Sequence, residues 1–588
     1  MSADSWLTLA VLVGVVVTMA RDLLPPTVAV LGGTVLLLLT GVITSQQAFA
    51  GFSNPAPLTI AALYVVAAAV TRTGLLRQPL AAALSSADTD RGALTRLLPG
   101  VAAASSFLNN TPIVAMLVPE VSSWAHRRGR SPARYLMPIS FAAIVGGTVT
   151  LIGTSTNLLV SGLLDERTGE ALGFFEISPV GLPIAVLGVI VVTLLAPRVL
   201  REGRTLSEEL SEDFRQFMVE MTVVPGAALD GASVEEGRLR HLSGVFLVEL
   251  ERSDHVIAPV SPSTQLRGGD RLRFVGKAGE VVDLLEMPGL VSAHADQLGG
   301  FDLVRSNFYE AVIGPSSPLA GTTLKEARFR SRYQGAVIAI HRSGQRIDAK
   351  LGEVALRPAD TLVVLADAGF RERHRDRHDF LLVSALGRPV MSETRHRLTV
   401  LAVTAGLLVL AAGGIMPILN AALLADIAIL AFGVLTFSQA RDAVDLDVVL
   451  LVAGAFGLAA AMDSSGLADQ LAAGLVDGLG ALGVSGVLVG VIIATLVLTE
   501  LVSNAAAAVV VFPIAFAAAI ELGADPRGFA VAVAVAASAS FLTPVGYQTN
   551  MMVYGPGGYR YTDYARLGAP LTLITTVVTV IAVQLIWV

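Results

Sequence analysis

The chain has 588 residues, a formal net charge of −7, a hydrophobic fraction of 53% and a mean hydropathy of +0.68. Many apolar runs approach the roughly 20 residues needed to cross a bilayer, so the composition predicts a polytopic α-helical membrane protein rather than an enzyme. Cysteine is absent, which excludes disulfide bonds, thiolate catalysis and cysteine-ligated metal.

The apolar runs begin close to the N-terminus. Residues 6–19 lack a basic leader and a small-x-small cleavage site, so we interpret them as a retained helix. Further spans are predicted at 24–40 and 58–70. An interfacial amphipathic helix is predicted at 77–84, and its counterpart in the second half at 468–475.

A short pattern occurs twice, about four hundred residues apart. The copies begin at Thr150 and Thr543, and both read T-x-x-G-x-x-T-N-x-x-V. Each is preceded by an apolar stretch that starts with Asn and ends with Pro, at 110–119 and 504–513, which predicts an internal duplication. A polar, glycine-containing stretch cannot face lipid, because its backbone groups would lack partners there. We therefore expect both copies to line a cavity near the bilayer midplane.

Helix breaks are predicted just before both Asn-to-Pro stretches. Pro112 follows Asn109 and Asn110, a pattern typical of an N-cap with a first-turn proline. Residues 496–505 are the second-half equivalent. In each half a helix is expected to arrive, break and restart.

Basic residues predict the orientation of the two halves. Residues 126–134 are rich in arginine, whereas the equivalent 521–527 carries one arginine beside two acids. The next loop of each half reverses this bias, being acidic at 165–176 and basic at 558–566. The positive-inside rule therefore predicts inverted-topology repeats, as in many secondary transporters with a site at the repeat interface.

The middle of the chain has the composition of a soluble protein, and all three lysines lie there. Residues such as Gly231 and Gly321 recur at a spacing of 90, which predicts two small α+β modules. Flanking arginines place them in the cytoplasm. Short strands are predicted at 245–251, 271–275, 336–340 and 361–365. The predicted domains are a first membrane half at 1–204, two inserted modules at 205–300 and 301–394, and a second membrane half at 395–588.

The motif regions must recognise ligands through uncharged groups, because residues 135–164 and 528–559 contain no charged side chain. Asn, Ser and Thr oxygens with opened backbone carbonyls suit Na+, while helix N-termini and hydroxyls favour an anion. Together they predict a Na+-coupled anion site. The alternative is that Asn and Thr only cap helices or join them by hydrogen bonds.

Two charged features of the sequence have alternative interpretations. Glu500 is either a proton or cation ligand, as intramembrane acids often are, or a solvated residue of an aqueous vestibule. The basic run at 373–378 is interpreted as a solvated linker, so no nucleic acid partner is expected.

The helix breaks resemble those of the divalent-anion:sodium symporter family. Asn109-Asn110-Thr111 and Ser503-Asn504-Ala505 stand where that family has Ser-Asn-Thr signatures, and 153–157 resembles its Gly-Thr-x-x-Asn loop. The resemblance implies two helical hairpins and two unwound helices that form Na+ sites on either side of a shared anion site. It also implies a homodimer that works by an elevator movement. It places Na+ at Ser105, Asn109, Asn110 and Gly153, and at Thr499, Ser503, Asn504 and Gly546.

The same resemblance implies substrate contact at Asn110, Thr111 and Asn504. The motif copies add further substrate-binding candidates, which are Thr156, Asn157, Thr549 and Asn550. Ala505 departs from the family, because it removes the second threonine that dicarboxylate members use on their substrate. This departure favours sulfate over succinate or citrate.

The run at 543–559 resembles the branch of that family with inserted cytoplasmic domains, which includes sulfate transporters. The middle modules, with Leu-x-x-x-Asp at 266–270 and 356–360, resemble paired TrkA-C (RCK C-terminal) domains. Such domains bind small ligands or dimerise in other transport proteins, which implies a small-molecule effector.

The sequence therefore predicts a Na+-coupled symporter of a small divalent oxyanion in the plasma membrane. A dicarboxylate symporter and a cation/proton antiporter, with Glu500 carrying the proton, are alternatives within transport. A ligand-gated ion channel or membrane sensor is an alternative of another class, although inverted repeats favour alternating access over a fixed pore.

Overall fold

The computed structural model describes all residues except 1, 22, 76–78, 80–81, 83, 85–88, 201–217, 238, 240–244, 253–254, 258–259, 277–286, 288, 293–307, 315–316, 343–344, 348, 350, 367–368, 375–378 and 386–395. The chain divides into two compact units, Met1–Glu202 with Met391–Val588, and Gly203–Val390. The predicted domain boundaries after residues 204, 300 and 394 lie outside the described residues and stay predictions.

The first half of the membrane unit is helical. Its helices are α1 (Ala3–Ala20), α2 (Pro26–Leu39), α3 (Ser45–Ala48), α4 (Pro55–Thr73), α5 (Asp90–Ser105), α6 (Asn110–Arg127), α7 (Ala133–Gly147), α8 (Ser155–Thr168) and α9 (Ser178–Val199). The helices predicted at 6–19, 24–40 and 58–70 are confirmed as α1, α2 and α4. The helix predicted at 77–84 lies mostly outside the described residues.

The middle unit contains two antiparallel sheets. The first has β1 (Met218–Val223), β2 (Val245–Arg252), β3 (His255–Ile257), β4 (Arg271–Gly276) and β5 (Leu290–Ser292), in the order β3-β2-β4-β1-β5. The second has β6 (Phe308–Ile313), β7 (Gly335–Arg342), β8 (Gln345–Arg346), β9 (Thr361–Ala366) and β10 (Phe380–Ala385), with α10 (Phe329–Tyr333) and α11 (Phe370–His374). Its strand order is β10-β6-β9-β7-β8. This is the order of the first sheet, read from its other edge, when β6 to β10 are matched in turn with β1 to β5. The four strands predicted here are confirmed.

One ion pair explains why Arg and Asp recur in both modules. Arg252 Nε lies 2.7 Å from Asp270 Oδ1 in the first sheet, and Arg342 Nε lies 2.8 Å from Asp360 Oδ1 in the second. Both aspartates are almost fully buried. Since a buried carboxylate needs a charged or hydrogen-bonding partner, the pair fixes the same turn in each module.

The second half of the membrane unit repeats the helical pattern. Its helices are α12 (Arg397–Ala412), α13 (Ile418–Ala431), α14 (Phe437–Ala443), α15 (Leu446–Ser464), α16 (Leu467–Leu479), α17 (Gly483–Leu501), α18 (Asn504–Glu521), α19 (Pro526–Ser538), α20 (Gln548–Tyr554) and α21 (Tyr561–Trp587). The helix predicted at 468–475 is confirmed as α16.

Several of these helices could span a bilayer. Within the described part of the chain, seven helical segments are long and apolar enough, and they are Ala3–Ala20, Pro55–Thr73, Ser178–Val199, Leu446–Ser464, Leu467–Leu501, Asn504–Glu521 and Tyr561–Trp587. Shorter apolar helices, including α2, α7, α13 and α19, accompany them. This pattern is that of a multi-pass membrane protein.

The two halves pack into each other. Helix α2 of the first half lies on α15 of the second, and α13 of the second lies on α4 of the first. Thr34 Oγ1 on α2 donates to the Gly454 carbonyl on α15 at 3.1 Å. Cross-packing of this kind brings the broken helices of both halves into one compact unit.

Candidate functional site

Both predicted helix breaks are present. Helix α5 ends at Ser105 and α6 restarts at Asn110, while α17 ends at Leu501 and α18 restarts at Asn504. In each break a hydroxyl donates to the Asn side-chain oxygen five residues later. Ser105 Oγ makes this bond to Asn110 Oδ1, and Thr499 Oγ1 makes it to Asn504 Oδ1 at 2.9 Å.

These bonds orient the two amides. Because each Oδ1 faces the preceding helix, each Nδ2 faces away from it. Asn110 Nδ2 donates to the Tyr547 hydroxyl at 2.9 Å. Asn504 is 6% exposed, and its Nδ2 has no hydrogen-bond partner among the described residues. A buried donor left without an acceptor costs about 1–3 kcal/mol, so this one is suited to an anionic ligand.

Each half also contains a broken helix that carries the repeated motif. Helix α7 ends at Gly147 and α8 begins at Ser155, whereas α19 ends at Ser538 and α20 begins at Gln548. The residues between these helices are unwound, and most of them have little exposed surface. Unwound backbone at this depth is tolerated only where protein or a cavity covers it.

The motif asparagines hold the unwound loops. Asn157 Nδ2 donates to the Thr150 carbonyl at 2.9 Å and to the Gly147 carbonyl at 3.3 Å, seven and ten residues earlier. Asn550 Nδ2 makes the same two bonds to residues seven and ten positions earlier, at 3.3 and 2.8 Å. Both side chains are fully buried. Asn157 and Asn550 therefore replace helical hydrogen bonds that the unwound backbone has lost.

The motif glycines are needed for close packing rather than for backbone freedom. A Cβ on Gly153 would lie 2.4 Å from the Gly147 carbonyl oxygen. A Cβ on Gly546 would lie 2.2 Å from Ser540 Oγ and 3.0 Å from Glu500 Oε2. Neither position can take a side chain without movement of its neighbours.

A first oxygen-rich cluster lies at the first break and is made of Ser105, Asn110, Gly147 and Gly153. The Cβ position of Gly147 lies 2.7 Å from Asn110 Oδ1, and Gly153 packs on the Gly147 carbonyl. Hydroxyl, amide and carbonyl oxygens thus converge without a carboxylate. Such neutral oxygens are ligands that Na+ accepts.

A second oxygen-rich cluster lies at the second break and is made of Thr499, Asn504, Ala537, Ser540 and Gly546. Thr499 Oγ1 lies 2.6 Å from the Ala537 carbonyl, and Ser540 Oγ donates to the Thr499 carbonyl at 3.2 Å. The second cluster therefore repeats the first with one more hydroxyl.

Two predicted Na+ ligands direct their side chains elsewhere. Asn109 forms a side-chain hydrogen bond with Tyr64. Ser503 is the N-cap of α18, and its Oγ accepts from the Ala506 amide at 3.4 Å. The other six predicted residues, Ser105, Asn110, Gly153, Thr499, Asn504 and Gly546, lie in the two clusters.

The predicted substrate residues meet across the halves. Thr111 Oγ1 donates to Gln548 Oε1 at 3.3 Å. Ser140 Oγ lies 2.9 Å from Thr549 Oγ1 and 2.7 Å from Asn550 Oδ1. Thr156 is likewise buried, at 1% exposure. The hairpin of the first half thus reaches the motif loop of the second.

Sequence reasoning missed Ser140, Tyr547 and Gln548. Ser140 stands inside a regular helix and carried no signal. Tyr547 and Gln548 lie between the Gly and Thr-Asn of the second motif, where the first copy has Thr154 and Ser155. A comparison of the two copies for their differences, rather than their identities, could have found them.

Glu500 lies beside the second cluster. Its Oε1 accepts from the Leu542 amide at 2.8 Å, so the carboxyl also helps to hold the unwound loop. The equivalent region of the first half uses a hydroxyl instead, since Thr150 Oγ1 donates to the Ser106 carbonyl.

The family model described as Citrate transporter matches residues 12–536. The chain belongs to this citrate transporter family. It is therefore a multi-pass membrane transporter rather than an enzyme.

Several known proteins resemble the chain. An uncharacterized transporter of Synechocystis is 35% identical over 598 residues, covering 99% of this chain and 97% of that protein. Sodium/sulfate cotransporter 2 of Chlamydomonas reinhardtii is 26% identical over 768 residues, covering 95% and 87%. The crystal structure of the Alcanivorax borkumensis YdaH transporter aligns with 99% of this chain and 97% of that chain at 15% identity, with a TM-score of 0.44.

Proposed function

We propose that this transporter is a Na+-coupled symporter of a small divalent oxyanion, sulfate, built from inverted-topology repeats. Two contacts between the halves support the inversion. Arg527 Nε, in the first turn of α19, lies 2.8 Å from Glu176 Oε1, in the loop after α8. The Tyr559 hydroxyl, in the loop after α20, donates to the Ala133 carbonyl at the start of α7. The start of α19 thus contacts the loop after α8, and the start of α7 contacts the loop after α20. The start of one broken helix therefore lies beside the end of the other, as expected of inverted repeats.

The orientation of the hairpin amides carries the proposal. Asn110 and Asn504 each offer Oδ1 to an oxygen-rich cluster and Nδ2 to the opposite side, where Asn504 Nδ2 has no partner among the described residues. One planar amide can thus serve a cation on one edge and an anion on the other. Binding of either ion would position the amide for the other, which is the physical basis of coupling.

The cations are assigned to the two oxygen-rich clusters. The predicted sites at Ser105, Asn109, Asn110 and Gly153, and at Thr499, Ser503, Asn504 and Gly546, are retained, with backbone oxygens of Asn109 and Ser503 in place of their side chains. Neutral oxygens without a carboxylate suit a monovalent hard cation better than a divalent one at the first cluster. The same ion is assigned to the second cluster, where Glu500 Oε2 lies 3.0 Å from the Gly546 Cβ position. The coupling ion is therefore Na+.

The anion is assigned to the space between the hairpin tips. Asn504 Nδ2, the second Nδ2 hydrogen of Asn110 and the Thr111 hydroxyl, once it turns from Gln548 Oε1, supply the direct polar hydrogens. The remaining predicted substrate residues, Thr156, Asn157, Thr549 and Asn550, shape the unwound loops around it. Membrane-embedded sites of this kind bind anions through fixed dipoles and hydrogen bonds rather than through buried lysine or arginine.

Sulfate is the favoured anion for two reasons. Ala505 supplies no hydroxyl at the second hairpin, so two separated carboxylates would find few directional donors. Sodium/sulfate cotransporter 2 of Chlamydomonas reinhardtii aligns along 95% of this chain. A dicarboxylate is the alternative within the same mechanism.

The inserted modules are proposed to be TrkA-C-like cytoplasmic domains that regulate transport. Their shared strand order and their repeated Arg–Asp pair support a duplicated module. They contain none of the site residues, so we assign them a small-molecule effector or a role in pairing two copies. The working form is proposed to be a homodimer in the plasma membrane, whose substrate site moves by an elevator mechanism.

A cation/proton antiporter is the second candidate, because Glu500 is an acid beside the second cluster. Its Oε1 accepts from the Leu542 amide, whereas its buried Oε2 has no hydrogen-bond partner among the described residues. The Leu542 contact fits a structural carboxylate, and Oε2 is where an antiporter would hold the proton. A channel or sensor is the candidate of another class.

Uptake into proteoliposomes tests the proposed function. An inward Na+ gradient should drive labelled sulfate above equilibrium, and a Na+ ionophore should abolish the accumulation. Succinate accumulation in place of sulfate would indicate a dicarboxylate symporter. Proton counterflow without anion uptake would indicate the antiporter, and uncoupled conductance the channel.

A further inference from the structure

The two copies of the motif differ most in the two residues that follow the motif glycine. The first copy has Thr154 and Ser155, whereas the second has Tyr547 and Gln548. The Asn bonds that hold the unwound loops are the same in both copies. The larger pair therefore breaks the pseudo-symmetry of the site on one side only.

Tyr547 and Gln548 contact the predicted substrate residues of the opposite half. The Tyr547 hydroxyl accepts from Asn110 Nδ2 at 2.9 Å, and Gln548 Oε1 accepts from Thr111 Oγ1 at 3.3 Å. Both side chains are only partly buried. They thus lie at the tip of the first hairpin, where part of each remains accessible.

The hydrogen bonds leave donors that can turn toward an anion. The Tyr547 hydroxyl accepts from Asn110 and also bonds the Thr154 side chain. A hydroxyl hydrogen rotates about its C–O bond, so Tyr547 can donate its own hydrogen to a ligand while its oxygen accepts from Asn110. Gln548 engages its oxygen with Thr111, so its amide nitrogen retains two hydrogens.

We propose that Tyr547 and Gln548 are the specificity-determining pair of the anion site. Their bulk shortens the site beside Asn110 and Thr111, which excludes anions with two separated carboxylates. Their neutral donors, the phenol hydroxyl and the amide, replace those that Ala505 does not supply. This inference rests on the proposed function and adds the residues that select a compact oxyanion.

The test uses the full chain in proteoliposomes, with labelled sulfate competed by unlabelled sulfate or succinate. Tyr547→Phe keeps the ring and removes the hydroxyl. The double variant Tyr547→Thr, Gln548→Ser gives the second copy the residues of the first. Tyr561→Phe is the matched control, since Tyr561 is 51% exposed at the start of α21.

We expect Tyr547→Phe to weaken sulfate affinity by about tenfold, the usual effect of losing one hydrogen bond to a charged group. We expect the double variant to shift the sulfate-to-succinate affinity ratio toward succinate by about tenfold or more, because the smaller Thr and Ser side chains lengthen the site. The control should match the wild type. Na+-dependent thermal stabilisation verifies that each variant is folded.

An unchanged ratio in the folded double variant, together with wild-type sulfate affinity in the folded Tyr547→Phe variant, would overturn the inference while leaving the proposed function intact. If the double variant does not fold, Tyr547→Phe decides alone by its sulfate affinity. A wild type that prefers succinate would instead reject sulfate as the substrate, and the inference with it.

Discussion

The two halves of the membrane unit share their framework and differ in residues beside the helix breaks and in the unwound loops. Both close a hairpin break with a hydroxyl-to-Asn bond across five residues, and both hold a broken helix with an Asn that reaches seven and ten residues back. The two halves differ at equivalent positions. The first half has Ser106 and Thr154 where the second half has Glu500 and Tyr547. The contacts that unwound helices need are thus the same in both halves, whereas the proposed anion site is asymmetric.

The same lesson holds for the two soluble modules. Glu220 of β1 is partly exposed and lies 3.9 Å from Arg273, whereas Glu310 at the equivalent position of β6 is 7% exposed, and its Oε1 has no hydrogen-bond partner among the described residues. The strand order is kept and the environment of one face has changed. Matched substitutions in equivalent positions therefore separate framework from function.

The largest expected effect comes from the motif glycines. Gly153→Ala and Gly546→Ala should both abolish transport, because the new Cβ would lie 2.4 Å from a backbone carbonyl in one case and 2.2 Å from Ser540 Oγ in the other. Na+-driven uptake and thermal unfolding would measure this. Gly474→Ala is the control, since no atom lies within 4 Å of its added Cβ.

The two glycine variants should differ in rescue. Ser540→Ala removes the hydroxyl that the Gly546→Ala methyl meets, so the double variant should regain part of its uptake. No single side-chain change can relieve Gly153→Ala, because its neighbour is the Gly147 backbone. If Ser540→Ala restored uptake equally in Gly153→Ala and Gly546→Ala, the steric explanation would be contradicted. Normal uptake by either single glycine variant would also contradict it.

Much of this framework could be predicted from the sequence, since paired motifs and the Asn-to-Pro stretches mark the breaks at Asn110 and Asn504. The bonds of Asn157 and Asn550 could not, because backbone carbonyls exposed by unwinding leave no sequence signal. The Arg527–Glu176 contact joins distant loops whose proximity depends on packing between halves. Tyr547 could not be predicted in this way, because a repeat is recognised by residues that are identical in both copies. The proposed anion selectivity instead depends on a residue that differs between the copies.

A smaller effect is expected from the soluble modules. Replacing residues 205–394 with a flexible linker should leave Na+-dependent sulfate affinity intact, because the modules contain no site residue. It should change the transport rate or its response to cytoplasmic metabolites, by no more than an effector's differential affinity for two conformations. Binding and uptake assays on the same preparation measure both. Loss of binding in a folded, dimeric variant would place the modules in the site.

The smallest effect concerns Glu310. Burial raises the pKa of Glu310 to about 7 from its ordinary value of 4.5. Between these values the folded state holds a proton that the unfolded state releases, so the module loses stability as the pH rises through this window. Glu310→Gln removes that loss, which amounts to about 3 kcal/mol at pH 8 and little at pH 4.5.

Hydrogen exchange of β6 and β9 in the full chain can measure this pH-dependent gain. Glu220→Gln is the matched control in the first module, and it should show no such gain, because Glu220 is partly exposed. A stabilisation by Glu310→Gln that is the same at both pH values would contradict a buried neutral carboxyl.

The most direct test of the central claim separates the two edges of the Asn504 amide. Asn504→Asp keeps the oxygen for the cation and replaces the donor with a second, negative oxygen, whereas Asn504→Ala removes both. We predict that the Asp variant retains Na+-dependent thermal stabilisation but loses sulfate affinity by about tenfold or more, and that the Ala variant loses both. Wild-type sulfate affinity in the folded Asp variant would contradict the account.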